Sequence, residues 1–141
     1  MPLTAPGSPS ALLQTLYPST TLTVTTSGNK FIGVERYTTA LFFLVAATVT
    51  GTSPTYDVYI QRLLPDNTTW QDIIHFTQVT TTSNQIAHFV TGASSIAAVQ
   101  TAALAAATTK AISLGGAIRA HVVVGGTNPS ASIAVYADFL E

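Results

Sequence analysis

The chain has no cysteine. That excludes a disulfide framework, a zinc–thiolate site and a thiol nucleophile, and leaves its redox compartment unreadable. It also has little charge: Asp, Glu, Lys and Arg make up 8% of its 141 residues, against a usual share of about 25%. Five basic and six acidic residues give a net charge of −1, and neither sign clusters. A nucleic-acid binder needs a basic stripe to neutralise phosphates, so no nucleic-acid partner is expected. The stretch "MPLTAPGSPSALLQTLYPST" lacks a basic segment followed by an apolar one, so no secretory signal peptide is expected. The longest apolar run, Ala40 to Ala47, falls short of the ~20 residues that span a bilayer, so no transmembrane segment and no membrane partner is expected.

What is present is apolar and neutral. Hydrophobic residues are 47% of the chain, mean hydropathy is positive, and Thr, Ser, Asn and Gln supply most of the polarity. Soluble monomers keep a charged, mixed surface to resist association. So neutral a surface points to one that other protein covers.

The first twenty residues carry Pro2, Pro6, Pro9 and Pro18, which prevent a continuous helix and favour extended chain. Residues 1–20 therefore read as an N-terminal arm, with Leu12, Leu13, Leu16 and Tyr17 as apolar contacts for a neighbouring subunit; a disordered tail is the alternative. Residues 21–141 read as one domain. "TLTVTTS" alternates, with Leu22 and Val24 on one face. "ALFFLVAATVT" is a near-continuous apolar run, as in a central strand covered on both sides. "TYDVYIQRLL" and "WQDIIHFTQVT" flank the turn residues of "PDNTTW" and predict a hairpin from Tyr56 to Val79. "QIAHFVT" adds a short strand, and "AIRAHVVVGG" with "SASIAVYADFL" a second hairpin-like pair. Seven or eight short strands separated by turn signals predict an all-β fold, an antiparallel β-sandwich or jelly roll. The Ala-rich segment 92–112 interrupts this pattern. A short helix over 94–107 and an irregular connection are both open there.

Candidate chemistry is sparse. His75, His88 and His121 match no short metal-ligand spacing, and no cofactor or metal is expected. Asp57 and Asp138 each follow one copy of a repeated motif, and two carboxylates brought close can hydrolyse glycosides; pairing with Arg36, Arg62 or Arg119 is the simpler expectation. No Gly-x-Ser-x-Gly elbow and no phosphate-cradling loop occurs. The chain is therefore expected not to be an enzyme. "PDNTTW" is similar to an Asp-box turn, one residue short and without its glycine, which makes Pro65, Asp66 and Trp70 structural candidates. Trp70 reads as a ring packed beside the turn rather than an exposed platform for a sugar.

The repeated motif is Gly51-Thr52-Ser53-Pro54-Thr55, matched by Gly126-Thr127-Asn128-Pro129-Ser130. Glycine frees φ, the residue before proline is driven extended, and proline fixes the way into the following strand. Gly51, Pro54, Gly126 and Pro129 are thus expected to form turns between strands in two related hairpins, without a ligand.

"GTSPTYDVYIQRLLPDNTTWQDIIHFTQVT" with "GGAIRAHVVVGGTNPSASIAVYADF" resembles a group of small virion proteins of tailed bacteriophages, over a little under half the chain. The resemblance implies a β-rich structural protein of the particle, of the head-decoration (cement) type. Such a protein binds the outer surface of the major capsid protein, often as a homo-oligomer, and its localisation is the virion. The arm residues, together with Pro54 and Pro129 or the Ala-rich segment, are then the expected contacts. A head–tail joining or tail component is compatible with the same resemblance. A carbohydrate-binding sandwich that stacks sugar on Trp70, Tyr56 and Tyr59 is the reading from a different class.

Overall fold

The computed structural model describes residues 11–90, 105–109 and 114–140. Among them there are strands and turns and no helix: β1 (Ala11–Leu22), β2 (Thr26–Ser27), β3 (Phe31–Ile32), β4 (Thr39–Leu63), β5 (Trp70–His75), β6 (Ser83–Val90), β7 (Thr108–Thr109) and β8 (Ala117–Leu140). All pair antiparallel in one sheet ordered β1-β8-β4-β5-β7, with β2 and β3 also on β8 and β6 also on β4. The segment 94–107, left open between a short helix and an irregular connection, falls mostly outside the described residues; the described end, Ala105 to Ala107, is a turn that leads into β7.

β4 and β8 set the architecture, at 25 and 24 residues. They pair from Thr39↔Leu140 at one end to Arg62↔Ile118 at the other. Drawn straight, such a ribbon would run ~80 Å. Yet β3 ends opposite Ala117 at one end of β8, while β4 begins opposite Leu140 at the other end. Only residues 33–38 join them, a link that reaches ~25 Å at most. The sheet must therefore fold back on itself midway along β4 and β8. Its first layer is β1, the second half of β8, the first half of β4, and β6. Its second layer is β2 and β3, the first half of β8, the second half of β4, β5 and β7. Inward residues of both layers, among them Phe42, Leu44, Phe89 and Phe139 from the first and Val58, Ile60, Ile74 and Ile118 from the second, join in one buried cluster. The expected antiparallel sandwich-like all-β fold holds.

The repeated motifs lie at the fold line, and their role differs from the turns expected of them. Each sits inside a strand, and the two face one another: Thr50↔Ser130, Thr52↔Thr127 and Thr55↔Gly125 are partners, with a register shift at each step. Gly51 and Gly126 have φ of 118° and 100°, and Ser53 and Asn128 also have positive φ. A Cβ on Gly51 would lie 2.7 Å from the Asn128 carbonyl oxygen, and one on Gly126 would lie 2.5 Å from that of Ser53. The two copies are thus related by a local two-fold axis through the Thr52–Thr127 pair. Glycine is needed because the opposite strand's backbone occupies the space of a side chain. The proline removes an N–H where bulges have already broken the ladder.

The N-terminal expectation is also corrected. Residues 11–20 belong to β1, in register with β8 from Ala11↔Leu140 onward. Leu16 is 1% exposed and Tyr17 8%, both inside the chain's own core, so neither is free to contact a neighbour. Pro18 is tolerated because β1 is an edge strand, where a missing N–H breaks no ladder bond. Leu13, 72% exposed, does face outward. Leu12 pairs with Phe139, and its side chain lies outside the described residues, as do residues 1–10.

Candidate interaction surface

The two outer faces of the sandwich differ in chemistry. Past the fold line β4 alternates Tyr56, Val58 and Ile60 inward with Asp57, Tyr59 and Gln61 outward. In register, Tyr59 stands between His121 of β8 and His75 of β5, and His121 pairs with Ser27 of β2. The face is knit across these strands. His75 Nε2 and the Asp57 carboxylate are 3.0 Å apart, and Gln78 donates to the other Asp57 oxygen at 2.9 Å. The Tyr59 ring stacks on His75 with centroids 4.0 Å apart. Ser27 Oγ and His121 Nδ1 share a hydrogen bond of 2.7 Å. Arg119 Nε donates to Gln61 Oε1, Gln61 Nε2 donates to Asp72 Oδ1, and the Arg119 guanidinium lies 4.3 Å over the Trp70 ring.

Burial, followed by the nearby Arg119 charge, lowers the pKa of His121, and burial with the charges of Asp57 and Asp72 raises that of Tyr59. The environment favours neutral rings in both. Ser27 and Asp57 bond to different histidines, separated by the Tyr59 ring, so they do not form a Ser–His–Asp relay. Asp57 and Asp138 do not meet either: Asp57 belongs to this face, and Asp138 lies on the outside of the other layer, in register with Leu13 and Leu41. His88 is likewise on that other layer, opposite Leu41. Among the described residues no group of three potential metal ligands occurs. Of the residues considered for sugar stacking, Tyr56 is fully buried with its hydroxyl donating to the Leu22 carbonyl at 3.1 Å. Trp70 is half-buried under Arg119, as a packed ring, and Tyr59 is stacked on His75.

The Pro65–Trp70 turn closes the β4–β5 hairpin. The Asp66 carboxylate accepts from the Thr68 and Thr69 backbone N–H groups and from the Thr69 hydroxyl. Those bonds, the Thr69 hydroxyl's first, hold the Asp66 pKa down at about 2. Beside this turn lies an open cleft of about 590 Å³ lined by Lys30, Ile32, Arg62, Leu63, Leu64, Pro65, Asn67 and residues 115–117.

The outer face of the first layer has an apolar centre on β4, with Thr15, Thr39, Asn84, His88 and Asp138 around it. Strand register places Thr15, Tyr136, Phe43 and Ile86 in one row across β1, β8, β4 and β6, and Leu13, Asp138, Leu41 and His88 in the next. Val45 and Ala134 continue it toward the fold line, and Val90 and Leu140 toward the open end. Ile86 is 68% exposed, and Val45 and Val90 are more than a third exposed. The run "ALFFLVAA" is thus apolar on both sides, as expected of a strand covered on both. Among the described residues, Ala40, Phe42, Leu44 and Ala46 are the buried side of this run, while Leu41 and Phe43 are partly exposed. Leu41, Phe43, Val45 and Ile86 were not singled out as contacts from the sequence, although the unbroken apolar run carried the signal. Pro54 and Pro129, expected as contacts, lie at the fold line, half-buried and each against the opposite strand's glycine. No family model, curated protein or solved structure matches the chain.

Proposed function

We propose that the chain is a non-enzymatic structural subunit that works by packing against other protein, and that its place is the virion of a tailed bacteriophage, as a decoration protein on the outer face of the major capsid protein. The observation that carries the assembly reading is the apolar outer face of the first layer, on a chain with 8% charged residues. Exposed contiguous apolar surface of this kind marks a protein contact. The motif resemblance supplies the phage particle. Attachment at many equivalent sites lets each subunit bind modestly, because neighbours raise one another's effective concentration. The contact is assigned to the sheet face rather than to Leu16 and Tyr17, which the core already uses.

Immunogold electron microscopy tests this on particles of the phage that carries the gene. Labelled heads are expected. Labelled tails would move the chain to the head–tail joint or tail, and unlabelled particles would overturn the virion reading.

A further inference from the structure

We propose that the cleft beside the Pro65–Trp70 turn takes an acidic side chain, with its apolar neighbours, from a second protein chain. The cleft lies at the end of the sandwich away from the fold line, between that turn and the starts of β3 and β8. Lys30 and Arg62, two of the chain's five basic residues, line it, and among the described residues no acidic side chain does. Asp66, beside it in sequence, has its carboxylate bonded to Thr68 and Thr69. Lys30 is exposed, while Arg62 is half-buried with its Nε donating to Gln71 Oε1 at 2.8 Å. Ile32, Leu63, Leu64 and Ala117 supply apolar walls. Positive charge set among apolar groups complements a carboxylate flanked by apolar residues.

The cleft is built in advance. The Leu64 N–H donates to the Thr69 carbonyl at 2.8 Å and the Asn67 N–H to the Leu64 carbonyl at 2.9 Å. With the Asp66 bonds these hold the turn as a fixed wall, which needs no ordering when a ligand arrives. On the other side Gly116 is exposed, and a Cβ there would meet nothing within 4 Å. Packing therefore does not demand glycine at this position, and the missing side chain leaves the backbone open to close approach. The volume of about 590 Å³ is that of sites which enclose a small group. The cleft belongs to the second layer, so its use leaves the outer face of the first layer free for the capsid.

The inference deepens the assembly reading and rests on it, naming the chemistry of a further contact. Magnetic resonance titration of the nitrogen-15-labelled full chain tests it, with the peptide acetyl-Leu-Glu-Leu-amide as probe and acetyl-Leu-Gln-Leu-amide beside it. The Glu peptide is expected to shift the Gly115 and Gly116 amide signals saturably, and the Gln peptide to bind about fivefold more weakly, as loss of one partly exposed ion pair implies. Lys30→Glu should abolish the preference for Glu, and Gly116→Leu should block both peptides by filling the cleft. Both variants should keep the wild-type melting temperature, because Lys30 is exposed and nothing lies near the added Cβ at 116. Equal binding of the two peptides, no shift at Gly115 and Gly116, or full binding to the Gly116→Leu variant would each overturn the proposal. Inorganic phosphate giving the same shifts at equal concentration would also overturn it, in favour of a site for small free anions. Heads that label while the peptide fails to bind remove this contact and leave the proposed function standing, whereas peptide binding by a chain absent from particles does the reverse.

Discussion

At the fold line single atoms decide the outcome. Gly51→Ala and Gly126→Ala each place a methyl group within 3 Å of the opposite backbone, at a φ that alanine seldom adopts. Each is expected to cost about 2–3 kcal/mol in urea denaturation. Gly33 has φ 76° with nothing near its missing Cβ, so Gly33→Ala should cost only about 1 kcal/mol; equal losses at all three sites would show that collision with the facing strand is not the cause. At the Pro65–Trp70 turn, the depressed Asp66 pKa gives the pH dependence its sign. The folded value lies below the unfolded one, so the turn's contribution is present above the ordinary carboxylate range and is lost as pH falls toward 2. A carbon-13 titration of Asp66 should show a midpoint of about 2, moving up toward 3.8 in Thr69→Val. This turn was legible in the sequence because its chemistry is local. The repeated motif was misread for the opposite reason. Gly, Pro, Ser and Asn suit a turn and a bulge equally, and only the opposing strand tells them apart.

Among the elements, β1 carries the largest difference from expectation. Four prolines described an arm, but Pro18 on an edge costs no ladder bond, and Leu16 and Tyr17 supply core contacts that periodicity did not reveal beside it. Leu16→Ala is expected to cost about 3 kcal/mol, while Leu13→Ala should stay within about 0.5 kcal/mol. Equal losses in thermal or urea melts would restore the arm. The β4–β5 hairpin and β6 were legible because their alternation keeps one period. The continuity of β4 was not, because residues 47–55 interrupt the alternation with bulges and read as a boundary. The candidate interaction face was half legible: the doubly apolar run was visible, but its neighbours Ile86 and Tyr136 join it only through pairing with β6 and β8.

For the molecule as a whole, the ladder joins the two ends of the described chain, Ala11 to Leu140. Four of the seven other described strands, β1 to β4, pair with β8, the last of them in sequence. Pairing at such sequence separation slows folding, so stopped-flow refolding should lie in the range of about milliseconds to seconds. A chain ended before Ala131 loses the partner of β1 and of the first half of β4. It should show no cooperative urea transition, and a cooperative one would mean that the second layer folds by itself.

Two strands that pass through both layers also decide how the protein carries force. In a sandwich of separate sheets, a pull between the outer faces is resisted by side-chain packing alone. Here two strands themselves cross from one layer to the other, at Gly51–Thr55 and at Gly126–Ser130. A tensile load applied across the faces is therefore borne at the fold line by peptide bonds as well as by side-chain packing.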